Sequence, residues 1–181
     1  MGRTSPSRNN KRRTRAPRPA TYYHVAGVDL RTEMERLISL PVFGGPDGPL
    51  SRRPPTLTIR RASRRPRSRL GFAIPDERRI SVTAFPGQRR GDAEETLVHE
   101  LVHLFVGASP GSRRWHGRDF KATLRRAMRE GYGIRAVHEN GSYHGAYADA
   151  LERRRSQTPA RSSRTLHPGQ LALISPNGRS A

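Results

Sequence analysis

The sequence contains no cysteine, which removes disulfides, cysteine-built zinc ribbons and thiol nucleophiles from consideration. Acids are scarce, 15 Asp and Glu against 35 Lys and Arg, giving a formal charge of +20. Lysine is nearly absent too: Lys11 and Lys121 are the only two, and the remaining cations are arginine. GC-rich coding alone can produce that bias, so it does not by itself name a function. Aromatics make up 6% of the chain, and no apolar run approaches the roughly 20 residues of a membrane span. The first residues lack the hydrophobic stretch of a secretory signal. The missing span and signal lead us to expect a cytoplasmic, intracellular protein without a membrane partner, and we take it to be a monomer.

What charge there is sits unevenly. Residues 1–28 carry +7, residues 29–150 carry +8 and residues 151–181 carry +5. Both ends are rich in Pro, Ser and Arg and poor in apolar residues, so we expect a disordered basic arm at 1–28 and a disordered basic tail at 151–181. One domain, 29–150, remains between them. Pro6, Pro17 and Pro19 break the amphipathic helix that an organellar transit peptide would need. Arginine-rich arms bind polyanions by releasing counterions, which makes non-specific nucleic acid the expected partner of these tails.

The centre of the chain is His99-Glu100-Leu101-Val102-His103. Asp92 and Glu95 form a capping-box-like start and Gly107 a stop, so the spacing predicts a helix from about 93 to 106. Leu97, Val98, Leu101, Leu104 and Phe105 make one apolar face, and Val102 and Val106 widen it. Between Leu97 and Val106 the only polar side chains are His99, Glu100 and His103. A helix this apolar is buried on most sides, and buried polar groups are costly unless something satisfies them. A metal ion does so: two histidines four residues apart reach one zinc ion, and the glutamate beside them can take a proton from an activated water. By chance, such a pattern arises on the order of once in 75 chains of this length and composition.

Around that helix, Asp29 to Leu40 predicts a first helix with Leu30, Met34, Leu37 and Ile38 on its buried face, closed by Pro41. Residues 42–55 form a Gly- and Pro-rich loop. Residues 56–60, 70–74 and 80–85 alternate as strands, and the basic stretch 61–69 connects the first two as an exposed loop. We expect an α+β domain, with a small antiparallel three-stranded sheet packed on the metal helix and two further helices. One of these runs from about 118 to 130, buries Phe120, Leu124, Ala127 and Met128 and ends at Gly131. A weak one lies near 146–154.

A catalytic zinc site takes three protein ligands and keeps a fourth position open. The metzincin pattern fails, because Val106 and Ser109 stand where it needs Gly and His. His116, just before the third helix, is the best-placed third donor, with Asp119 and Glu130 as fallbacks. His138 and His144 could lie near the cleft, and Tyr132, Tyr143 or Tyr147 could donate to an oxyanion. Ordinary packing or exposure is the commoner fate of such isolated residues.

With these residues in hand, the chain resembles the SprT-like family of zinc metalloproteins, which includes the Spartan proteases. The resemblance is carried by Arg69-Leu70-Gly71, Ile80-Ser81-Val82, Thr96 to Leu104, and His116-Gly117-Arg118-Asp119-Phe120 with Leu124, and spans about 29–132. It implies a zinc metallopeptidase acting on a protein substrate, with DNA-associated proteins among the candidates. His99, His103 and His116 would be its zinc ligands and Glu100 its catalytic base. Many members also carry a cysteine-bearing zinc ribbon after the core, which this chain lacks. The alternative from another class is a non-catalytic nucleic-acid-binding protein with a structural zinc site.

Overall fold

The computed structural model describes residues 20–67, 69–107, 116–135 and 145–157. Folded structure begins earlier than the composition implied. A 3-10 turn, Ala20–Tyr23, leads into a hairpin of β1 (His24–Val25) and β2 (Val28–Asp29). Ala26 and Gly27 both take positive φ, 49° and 78°, as a two-residue hairpin turn requires. Val25 and Val28 on either side of it are buried. The last nine residues of the expected arm 1–28 are therefore part of the fold, because this apolar pair outweighs the basic composition around it.

Asp29 then caps α1 (Leu30–Ile38), its carboxylate accepting from the N–H groups of Arg31 and Thr32. The stripe Leu30, Met34, Leu37 and Ile38 is buried as expected. The following loop contains a 3-10 turn, Pro41–Phe43, and a one-turn helix, α2 (Pro49–Arg52), which bury Phe43 and Leu50.

Three strands follow: β3 (Thr56–Arg61), β4 (Gly71–Ile74) and β5 (Arg79–Ala84). The sheet is mixed, which corrects the expected antiparallel arrangement. Its order is β3-β5-β4, with β5 parallel to β3 (Leu57 opposite Ile80, Ile59 opposite Val82) and antiparallel to β4 (Ala73 opposite Ile80). The tight turn Pro75–Arg78 can only make a hairpin of β4 and β5. The longer connection after β3 carries the chain past the position of β5, which then slots in between. Ile80 and Val82 of that central strand are wholly buried. On the outer edge of β3, the Tyr22 hydroxyl donates to the carbonyl of Ile59 and accepts from its N–H, covering a ladder position.

The His-Glu-x-x-His helix, α3 (Arg90–Val106), touches α1, α4, α5, β4 and β5. Leu97, Val98, Leu101 and Val102 are wholly buried, and each such leucine contributes about 2 kcal/mol over an exposed one. Its start differs from the expected capping box: Arg89 holds the cap position and Asp92 pairs with it at 3.0 Å. Glu95 instead accepts from the N–H groups of Gly145 and Ala148, at the start of α5 (Ala146–Gln157). Glu94, 1% exposed, is held by Arg90 at 2.8 Å and by Arg155 of α5. Glu94 and Glu95 thus bind a neighbouring helix, while Asp92 pairs at the cap of its own.

Helix α4 (Arg118–Tyr132) buries Phe120, Leu124, Ala127 and Met128 and ends at Gly133, in the left-handed conformation, two residues beyond the expected stop. Helix α5 runs through the expected domain limit at 150 and buries Tyr147, Ala148 and Leu151. Residues 1–19 and 158–181 lie outside the described residues.

Candidate metal centre

His99 and His103 stand one turn apart on α3, and His116 lies in the turn just before Gly117, the cap of α4. Their Nε2 atoms converge: 3.2 Å from His99 to His103, 3.0 Å from His99 to His116 and 3.2 Å from His103 to His116. Nitrogens about 2.0 Å from one tetrahedral ion stand roughly 3.3 Å apart, so the triangle has the size a small cation needs. Protons alone do not settle this arrangement. Each neutral imidazole nitrogen offers either one N–H or one lone pair along one direction, which cannot satisfy two neighbours at once. Three lone pairs turned toward one cation can.

Burial, and secondarily the nearby His116, push His103 down to about 4. Its neutral form, the one that ligates metal, therefore prevails at ordinary pH. Beneath the three rings lies Phe120, its centroid 4.8, 4.4 and 4.8 Å from those of His99, His103 and His116. From the sequence, Phe120 belonged to the buried stripe of its helix and to the His116–Phe120 motif of the resemblance, with no role assigned at the site. Its position four residues after His116, one turn up, was the signal that it could floor the site.

Glu100 follows His99 and is 5% exposed. Its carboxylate accepts no hydrogen bond from any described residue. Burial pushes it up to about 8, against the opposing pull of Arg69. Strand β4 passes directly over it at Gly71, where a Cβ would lie 2.8 Å from Glu100 Oε1, 2.7 Å from Thr96 Cγ2 and 2.9 Å from the Ser81 carbonyl oxygen. A glycine inside a strand signals such a close approach, and Gly71 carried that signal. Gly71→Ala is expected to lift β4 from α3 and displace the carboxylate. Stability should fall by about 1–3 kcal/mol, with metal binding unchanged because no imidazole is touched. Thermal melts and metal analysis on one preparation would check both.

The other candidates fall elsewhere. Asp119 is exposed in the first turn of α4 and is not among the groups that could share an ion with the histidines. Glu130 accepts from the Val42 N–H at 2.7 Å and from Arg126 at 2.6 Å, so it ties α4 to the turn after α1. The Tyr132 hydroxyl donates to Glu33 of α1, which also holds Arg36. Tyr147 is buried in α5. His138, Tyr143 and His144 lie outside the described residues.

An α+β fold whose buried helix carries His-Glu-x-x-His, with a third imidazole returned by the start of the next helix, defines a protein with three converging imidazoles that could hold a metal ion. The sequence profile of the SprT-like family matches residues 39–140, more than half the chain and a span containing Glu100 and all three histidines, and the chain belongs to that family. Comparison with curated proteins and with solved structures gives no match. No helix among the described residues is long and apolar enough to cross a membrane.

Proposed function

We propose that the chain is a zinc-dependent metallopeptidase that hydrolyses peptide bonds of a protein substrate, with His99, His103 and His116 as metal ligands and Glu100 as catalytic base. The observation that carries this reading is the convergence of the three Nε2 atoms on one point, with Glu100, the residue after His99, buried and accepting no hydrogen bond from a described residue. Three neutral imidazoles suit zinc, and the site's polar groups fit it better than they fit one another. A zinc ion bound there supplies a Lewis acid that lowers the pKa of water and polarises the scissile carbonyl.

The chain's own residues do the rest. The charge of a cation held by the three imidazoles would favour the ionised Glu100 carboxylate over the neutral form that burial alone favours. Ionised, Glu100 takes the proton of the attacking water and passes it to the leaving amine, acting first as base and then as acid. Phe120 fixes the imidazole rings from below, and β4 holds the Glu100 side chain from the other side. His116 is exposed, which opens the site to solvent and substrate. That exposure favours a catalytic site over the closed structural zinc site of the alternative reading.

The test is metal analysis of the purified chain together with cleavage of an unfolded protein such as casein. We expect about one zinc per chain and cleavage that a chelator abolishes and added zinc restores. A metal-free preparation with full activity, or a loaded one with none on any protein substrate, would remove the peptidase reading.

A further inference from the structure

We propose that nucleic acid docks on the folded domain itself, along the arginine connection between β3 and β4, rather than on the terminal arms alone. Between Asp47 and Asp76 the chain has no acid and eight arginines, six of them in residues 60–69. Arg60, Arg61, Arg64, Arg65, Arg67 and Arg69 are all exposed. None of the six has a carboxylate within 4.0 Å among the described residues. Elsewhere the few acids are spent on other arginines: Arg36 on Glu33, Arg89 on Asp92 and Asp149, Arg90 and Arg155 on Glu94, Arg126 on Glu130.

Six like charges sit on the end of β3 and the short connection after it, none within ion-pair distance of a carboxylate among the described residues. They repel one another, a cost that a bound polyanion offsets. A solvated loop tolerates the same charge when salt screens it, so charge alone does not decide the matter. The second observation is the way two of these side chains are held. The guanidinium of Arg60 lies over the ring of Phe72 at 5.8 Å and that of Arg65 over Phe85 at 5.9 Å. Cation–π contact holds each of these two guanidinium groups by an aromatic ring, where bases can stack on them while the neighbouring arginines take phosphates. An acidic peptide has no use for such stacking. This surface is independent of the peptidase chemistry, and its test does not involve cleavage.

The experiment measures binding of a fluorescent single-stranded oligonucleotide of about 20 nucleotides to the full chain by anisotropy, over a range of salt. Two variants equal in charge are compared: Arg61, Arg64, Arg65 and Arg67 all changed to Gln, and Arg12, Arg13, Arg15 and Arg18 all changed to Gln. The first should bind about tenfold or more weakly at about 150 mM salt, with a log–log salt slope shallower by about 2–3, and should lose more than the second. Its melting curve should still be that of a folded chain, because all four side chains are exposed and loss of the Arg65–Phe85 contact is set against relief of the repulsion. Changing the same four positions to Lys should keep the salt slope. Unaltered binding by the first variant, or a larger loss in the second, would overturn the proposal. Polyglutamate of equal charge competing as well as unlabelled oligonucleotide would overturn it too, assigning the surface to acidic proteins.

Discussion

Glu100→Gln is expected to lower peptide cleavage by about 10²–10⁴-fold, the usual contribution of a positioned general base, while the chain keeps its metal. The amide is nearly the same shape as the carboxylate, so the packing of Thr96 and Gly71 against it survives. What disappears is the ability to accept a proton. The same substitution carries a second expectation, in metal-free protein. Burial raises the Glu100 carboxyl to about 8 from its ordinary 4.5, so the folded chain favours the neutral form. The stability linked to that neutral form is fully present below about pH 4.5 and is lost as pH rises through about 8. A carboxamide in its place never ionises. The chelated variant should therefore melt above the chelated parent at pH 9, by on the order of 2–4 kcal/mol, and the gap should close toward pH 4.5. Melts across that range, beside a cleavage assay and metal analysis, separate the two roles. Retained activity would remove Glu100 from the base role, and an unchanged melt at pH 9 would mean that the carboxylate is not held in the dry position described.

How much of this was legible in the sequence follows from which forces are local. The α3 histidines were readable because helical spacing fixes their relation whatever the rest of the chain does, and the apolar residues around them announced burial. His116 needed a second element to fold back on the first, and local pattern made it a good candidate without placing it. Strand alternation in 56–60 told which side chains face the core. In 80–85 it did not, because the central strand is covered on both faces and buries Ser81 and Thr83 along with Ile80 and Val82. Alternation carries nothing about neighbours, so the parallel pairing of β3 with β5 was invisible. Asp92 and Glu95 satisfied a local capping rule, yet Glu95 serves the start of α5, 50 residues away in sequence. A rule read on one helix cannot register a carboxylate taken by another. The hairpin at 24–29 was missed for the opposite reason: its signal, Val25-Ala26-Gly27-Val28, was present but lay inside a segment judged by its overall composition.

His116→Ala is the complementary experiment, and it tests the site where the sequence was least able to specify it. With two imidazoles left on α3, zinc affinity should fall by more than the 10–100-fold that loss of an outer-shell partner brings, and cleavage should be lost with it. Because His116 is exposed, its removal should change the melt of the chelated chain by no more than about 0.5 kcal/mol. The stabilisation that added zinc gives the parent should shrink, since a ligand that binds only the folded state stabilises in proportion to its affinity. Asp119→Ala supplies the control three residues further on: its carboxylate is exposed on the first turn of the same helix and outside the triangle of nitrogens, so zinc binding should be unchanged. The two results together locate the third donor. Full zinc affinity in His116→Ala would move it off the start of α4, and a loss in Asp119→Ala would give the position to a carboxylate. Only the pairing of a large loss with no loss fits an ion gripped by three imidazoles over Phe120, with its remaining face turned to solvent.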